Sequence, residues 1–233
     1  MIKAKKSLGQ NFLIDRDILE KITDIVPIKD KHVLEVGPGT GNLTSFILKK
    51  APRKLIVVEK DNDLALNLEE KFVDKLTVIN KDILEIDEAK LSNDKMTVFG
   101  NLPYNISTEI LSKWITNING IFWFDHLILM FQKEVADRII AKFNTSNYGR
   151  LSILSNWKLK VEKICDIKPT SFTPRPKIDS SLLFFSLYLG LRVVCETETL
   201  KLSISDNIFT NVVLPAPDGE DKTIITPSFS EGI

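Results

Sequence analysis

The sequence predicts an α/β protein built on a doubly wound, largely parallel sheet. Short, continuously apolar, β-branched runs recur along the chain, and stretches with apolar residues three and four apart lie between them. A glycine-rich turn follows the first long apolar run directly, as at the strand-to-helix junctions where such sheets bind ligands. A chain of 233 residues with 43% hydrophobic content is long enough for one sizeable core and a small appendage.

Taken in order, Asp15 caps a first helix whose buried stripe is Ile18, Leu19, Ile22, Ile25 and Val26. The first strand is His32–Val36, and the turn Glu35-Val36-Gly37-Pro38-Gly39-Thr40-Gly41 leads from it into a helix-like segment, Asn42 to Ala51. A second strand, Leu55–Glu59, precedes a helix marked by Leu64, Leu68 and Phe72 at i, i+4 and i+8. Strands then fall at Leu76–Ile79, Met96–Phe99 and Leu127–Phe131, followed by helices over Lys133 to Phe143 and Tyr148 to Trp157, and by a last strand, Ser181–Leu187. Gly37, Glu59, Asp82 and Asn101 all sit at or just beyond the carboxyl ends of these strands, where doubly wound sheets place their ligands. Beyond Leu187 the periodicity fails, and breakers such as Leu214-Pro215-Ala216-Pro217-Asp218-Gly219 accumulate. The expected organisation is one domain over residues 1–190 and an atypical tail over 191–233.

Composition narrows the function classes. The longest apolar stretch, Leu182 to Val194, is broken by Ser186, Gly190 and Arg192 and is too short to span a bilayer. The basic residues 1–7 are followed by no apolar segment, so neither a signal peptide nor a membrane location is expected. Cys165 and Cys195 have neither CxxC spacing nor a neighbouring His; free thiols in a reducing cytoplasm are expected, with no metal site. Net charge is formally zero but uneven: residues 1–190 carry 28 Lys+Arg against 24 Asp+Glu, and residues 191–233 carry 3 against 7.

The chemistry-bearing residues converge on that sheet edge. Gly37-x-Gly39-x-Gly41 lets a ligand approach the backbone closely and exposes amides at a helix start. Glu59, 18 residues beyond Gly41, is placed to accept hydrogen bonds from both hydroxyls of a ribose. Asp82 can accept from an adenine amino group while Ile83 packs on the ring. The turn alone does not separate a nicotinamide cofactor from S-adenosylmethionine. Asn101-Leu102-Pro103-Tyr104 decides between them, because it suits a flat amino-substituted base. An adenine amino nitrogen is a poor nucleophile, its lone pair being delocalised into the ring. Asn101 Oδ1 and the backbone carbonyl of Leu102 or Pro103 can accept from its two N–H groups, Pro103 fixes the local φ, and Tyr104 can stack on the base. Such a base must first leave its stack. Phe172, in the Pro-rich stretch Thr170 to Lys177, is the expected second ring of a sandwich, with Arg175 and Lys177 on phosphates. His32 and His126 lie in strand-like runs and are read as structural.

Together these residues resemble the rRNA adenine N6-dimethyltransferases, most closely the KsgA type. The matching segments are Ser7 to Leu13, Glu35 to Gly41, Glu59-Lys60-Asp61, Asp82-Ile83-Leu84, Gly100 to Thr108, Gln132 to Arg138, Tyr148 to Ser152 and Phe172 to Ser180. The resemblance implies a class I, Rossmann-like methyltransferase fold using S-adenosylmethionine. It further implies an enzyme that places two methyl groups on each of two adjacent adenosines near the 3′ end of small-subunit rRNA, within an immature ribosomal subunit; a monomer is expected, though no motif speaks to oligomeric state. By resemblance, Asn11, Leu13, Gly37, Glu59, Asp82 and Asn101 touch the cofactor or its edge; a role for Gln10 to Leu13 has no other source. The family continues into an Arg- and Lys-rich helical domain, which the acidic residues 191–233 do not match; that domain is read as truncated or altered. Two alternatives share much of this pattern: a large-subunit rRNA adenine methylase of the erythromycin-resistance type, and a non-catalytic rRNA-binding assembly factor.

Overall fold

A computed structural model describes residues 4–5, 9–116 and 122–187. The tail reading for 191–233, the Cys195 thiol, and Ser7 and Leu8 of the first matching segment lie outside these residues. The described residues belong to a unit that spans Met1–Glu196.

Strands β1 (Phe12–Leu13), β2 (His32–Val36), β3 (Lys54–Val58), β4 (Thr77–Ile79), β5 (Met96–Asn101), β6 (Phe124–Gln132), β7 (Leu159–Ile167), β8 (Phe172–Thr173) and β9 (Ser180–Leu187) alternate with helices. The helices are α1 (Arg16–Thr23), α2 (Asn42–Lys49), α3 (Asn62–Lys71), α4 (Ser107–Thr116), α5 (Lys133–Ile139) and α6 (Arg150–Lys158). Seven strands form one sheet in the order β4-β3-β2-β5-β6-β9-β7. The first five are mutually parallel, whereas β9 runs antiparallel between β6 and β7. The order reverses between β2 and β5, so a crevice opens beyond their carboxyl ends.

The apolar runs read in the sequence are central strands buried on both faces, and side chains divide between the faces with period two. Leu34, Ile56, Val58, Val98, Leu127 and Leu129 pack with α4 and with Ile83 and Ile86 on one face. Val33, Leu55, Val57, Phe99, Ile128 and Met130 pack with α1 and α2 on the other. Asp15 caps α1 as its sequence suggests, accepting from the amides of Asp17 and Ile18. Asp61 does the same for α3 through the Asp63 amide.

The structure departs from the sequence reading in several places, the two-residue strands β1 and β8 among them. The sheet is mixed, because the chain returns through β7 and β9 as an antiparallel pair. β7 is an edge strand with a register shift between Lys163 and Cys165, which breaks the alternation that would have marked it. α4 was not expected, although Ile110, Leu111, Trp114 and Ile115 are buried along it.

A buried polar cluster ties α4 to the segment after β4. Glu88, 5% exposed, accepts from Trp114 Nε1 at 2.7 Å and from Lys113 Nζ at 2.8 Å. Lys113 Nζ also donates to the carbonyls of Ile83 and Ile86. Removing the carboxylate leaves the Trp114 indole N–H without its acceptor and the part-buried Lys113 ammonium without its counter-charge. Glu88→Ala is expected to lower the unfolding free energy by roughly 2–4 kcal/mol, read from urea denaturation. A change within about 0.5 kcal/mol, typical of an indifferent surface site, would contradict the assignment.

Candidate active site

The crevice is open to solvent and comprises about 960 Å³ of space, solvent at its mouth included. Its walls come from four places: the N-terminal segment (Gln10, Asn11, Phe12), the Gly-rich turn (Gly37, Gly39), the ends of β3 and β4 (Glu59, Asp82, Ile83) and the Asn101–Tyr104 turn. The sequence-predicted residues Asn11, Gly37, Gly39, Glu59, Asp82, Ile83, Asn101, Leu102, Pro103 and Tyr104 therefore share one cleft.

The Gly-rich turn is shaped by what packs on it. Gly39 has φ +58°, and a Cβ there would lie 2.7 Å from the ring of Phe12. Gly41 has φ +76°, and a Cβ there would lie 2.6 Å from Phe72. A side chain at either position meets both backbone strain and a ring. α2 starts at Gly41 without a side-chain cap, which leaves its first amides available at the turn.

Glu59 lies just past β3 and is 6% exposed. Its Oε2 accepts from the Gly39 amide at 3.1 Å and its Oε1 from the Asp61 amide at 2.9 Å. Burial pushes this carboxyl upward, and the two amides oppose the shift. Each oxygen retains acceptor capacity beyond that bond, and Glu59 lines the crevice. Asp82 is both cap and wall: Oδ1 accepts from the Leu84 amide at 3.0 Å and Oδ2 from Lys60 Nζ at 2.7 Å. Burial would raise its carboxyl, but these bonds prevail and hold it low. Ile83 is buried beside it, its carbonyl held by Lys113.

The geometry of Asn101 fixes its amide. Nδ2 donates to the Asn11 carbonyl at 2.7 Å. A carbonyl can face only the NH₂ end, so Oδ1 is the end left to accept from a ligand. The sequence reading left two carbonyls open, and the two differ in their bonding. Pro103 O accepts the Ile106 amide at 3.1 Å, whereas no backbone bond engages the Leu102 carbonyl among the described residues. The Leu102 side chain is buried in the core, which anchors that peptide. Tyr104 lines the cleft, and its hydroxyl is bonded to Ser180 Oγ at 2.6 Å. Burial raises this phenol, which stays neutral.

Two expectations need correction or refinement. Phe172, expected as the second wall of a base sandwich, does not line the crevice in the structure. It is 1% exposed, packed with Leu13 in the core, and β8 holds it to β1 through the pair Leu13↔Phe172. Leu13 does not line the main crevice. Its carbonyl accepts from Asn42 Nδ2 at 2.8 Å, and it borders a smaller cavity that shares Phe12, Gly37 and Asn101 with the crevice.

Residues read too lightly in the sequence complete the site. Asp61 accepts from Lys5 Nζ at 2.7 Å and from Gln10 Nε2 at 2.9 Å, fastening the N-terminal segment across the cleft. Burial would raise the Asp61 carboxyl, but these donors hold it low. Phe12 owes its place to Gly39, and the absent side chain there was the available signal. His32 bonds Ser92 and His126 stacks on Phe184, and neither lines the crevice. Among the described residues no group of His, Cys, Asp and Glu is arranged to hold a metal ion, and no helix is long and apolar enough to cross a membrane.

Glu35 lies one layer beneath the turn, wholly buried, its Oε2 accepting from Thr44 Oγ1 at 2.7 Å. Burial pushes its carboxyl up to about 8, against the Thr44 bond. A folded-state value above the ordinary 4.5 means that the native state binds the extra proton. Its stabilising contribution is complete at low pH and is lost as pH rises toward about 8. Glu35→Gln is therefore expected to flatten the fall in unfolding free energy between pH 5 and 8, measured by urea denaturation at several pH values. An unchanged slope would show that Glu35 is ionised in the folded protein.

A family model described as Ribosomal RNA adenine dimethylase matches residues 1–186. The chain is 70% identical over 185 residues to Ribosomal RNA small subunit methyltransferase A of Pelagibacter ubique, covering 79% of this chain and 71% of that protein. It superposes on a dimethyladenosine transferase from Plasmodium falciparum with TM-score 0.68 at 31% identity, covering 76% of this chain and 63% of that one. The 23S rRNA methyltransferase ErmE superposes with TM-score 0.67 at 23% identity, covering 77% of this chain and 71% of that one, a likeness of fold.

Proposed function

This chain belongs to the ribosomal RNA adenine dimethylase family, and we propose that it dimethylates the amino nitrogens of two adjacent adenosines near the 3′ end of small-subunit rRNA, in an immature ribosomal subunit. The observation that carries the reading is the committed amide of Asn101: Nδ2 is held by Asn11, and the acceptor end remains on a residue that lines the cleft.

The residues fit S-adenosylmethionine by their chemistry. Glu59 takes the ribose hydroxyls, Asp82 the adenine amino group with Ile83 against the ring, and Gly37 and Gly39 let the ligand lie on the backbone. Asn11 frames the edge beside Asn101. When bound, the cofactor supplies an electrophilic methyl group, so no Ser–His–Asp apparatus or metal is required.

The remaining work is done on the target base. Asn101 Oδ1 and the Leu102 carbonyl accept the two N–H groups of the adenine amino group. Those bonds draw the nitrogen away from planarity and bring its lone pair out of conjugation. Pro103 fixes the turn that aims the carbonyl, and Tyr104 stacks on the extruded ring. Because the acceptors are pre-set by Asn11 and by burial of Leu102, little reorganisation is needed as the nitrogen changes shape.

The assay is methyl incorporation from labelled S-adenosylmethionine into immature small subunits and, separately, into protein-free large-subunit rRNA. Incorporation into the first supports the proposal. Incorporation only into the second identifies a large-subunit enzyme, and absence of cofactor binding by calorimetry identifies a non-catalytic factor. Asn101→Ala is expected to cut turnover by at least about 10²-fold, the scale of losing one pre-set polar group at a reacting centre, with the fold retained and the unfolding free energy lowered by no more than about 1.5 kcal/mol for the lost Asn11 bond; near-normal turnover would refute the role. Glu59→Ala is expected to weaken cofactor binding by roughly 1.5–3 kcal/mol, the range for hydrogen bonds to a charged group. An unchanged dissociation constant would remove ribose recognition from the account.

A further inference from the structure

We propose that Ser180 is a positioning residue that fixes where the Tyr104 ring points across the cleft. The inference rests on Tyr104 being the surface on which the target base stacks. The segment Phe172 to Ser180 stood out in the sequence as a unit, yet its first residue is buried against Leu13. Its last residue reaches the site instead: Ser180 Oγ lies 2.6 Å from the Tyr104 hydroxyl, across 76 positions of sequence.

The two ends of this contact differ in rigidity. Ser180 is wholly buried and opens β9, with Gln132 of β6 opposite it on one side and Ile167 of β7 on the other. Two ladders therefore fix its Cα. Tyr104 sits in the turn after β5, its carbonyl accepting only from Ser107 Oγ at 3.3 Å among the described residues. A tyrosine ring held at its Cα alone keeps freedom at χ1 and a broad χ2. A hydrogen bond at the para position removes the freedom at χ1 and fixes the ring axis, because the hydroxyl oxygen lies on the axis about which χ2 turns. The antiparallel insertion of β9 thus supplies a fixed point for a ring carried by a loop.

The alternative is that the pair serves stability alone, and a double-mutant cycle separates the two. Tyr104→Phe keeps the ring and removes the bond, and Ser180→Ala removes it from the other side. Each leaves one buried hydroxyl unpaired, while the double variant removes both and relieves that cost. Three readouts are taken: methyl transfer to immature small subunits, thermal unfolding, and fluorescence of an RNA with 2-aminopurine at the target position, which stacking on a ring quenches.

The expected result is a loss of turnover of about tenfold in each single variant, the factor that corresponds to one net hydrogen bond, with the S-adenosylmethionine dissociation constant unchanged. The double variant should recover thermal stability yet turn over no faster than Tyr104→Phe, and quenching should weaken in all three. Recovery of turnover together with stability, multiplying losses, or wild-type turnover in Ser180→Ala would each overturn the inference. Should Ser180→Ala fail to fold, Tyr104→Phe and the double variant carry the same comparison. Tyr104→Ala keeps the two readings apart: its inactivity beside unaffected Tyr104→Phe and Ser180→Ala sinks only the role of Ser180, whereas its normal turnover sinks stacking itself.

Discussion

One hydrogen bond orders the reactive end of this crevice: Asn101 Nδ2 to the carbonyl of Asn11. Asparagine can present either end of its amide, and the two ends have opposite chemistry toward an amino group. The Asn11 carbonyl removes the choice. It also joins two parts of the chain that are 90 residues apart, the N-terminal segment and the end of β5. The features that hold the N-terminal segment therefore bear on the chemistry at Asn101. These are the Lys5 and Gln10 bonds to Asp61, the β1–β8 pairing, and Phe12 over Gly39.

The cofactor side and the base side of the cleft share this logic. Asp61 caps α3, gives its amide to Glu59, and receives the N-terminal segment. Glu59 in turn accepts from Gly39. A single chain of hydrogen bonds thus runs from the strap to the Gly-rich turn. On the other wall, Lys113 of α4, itself paired with Glu88, donates to the Ile83 carbonyl. The carboxylates that face the cleft are placed by backbone amides and lysines, and the switch in strand order between β2 and β5 brings them together.

Much of this was legible in the sequence where local pattern and tertiary role agree. The central strands are buried on both faces and read as continuous apolar runs, so β2, β3, β5 and β6 were found with small shifts at their ends. The cluster Gly37, Glu59, Asp82 and Asn101 was found because strand ends in a doubly wound sheet face one edge. β7 was missed because it is an edge strand with a bulge, and α4 because it starts at Ser107, directly after the Asn101–Ile106 stretch, which reads as a turn. Phe172 was misjudged for a physical reason. An aromatic residue in a Pro-rich loop looks exposed, but here β8 pairs with β1 and turns the ring inward. Ser180 and Asn11 were opaque at the level of residue chemistry, since both act through contacts with residues 76 and 90 positions away.

The most direct test of the account is a structure of the protein with a non-reactive analogue of S-adenosylmethionine and adenosine monophosphate. The account predicts the adenine amino nitrogen at about 3 Å from Asn101 Oδ1, hydrogen-bond distance, with the Asn11 carbonyl still holding Nδ2 and the Tyr104 ring parallel to the base. An Asn101 side chain turned into the interior, or a base lying elsewhere than between that residue and the Gly-rich turn, would contradict it.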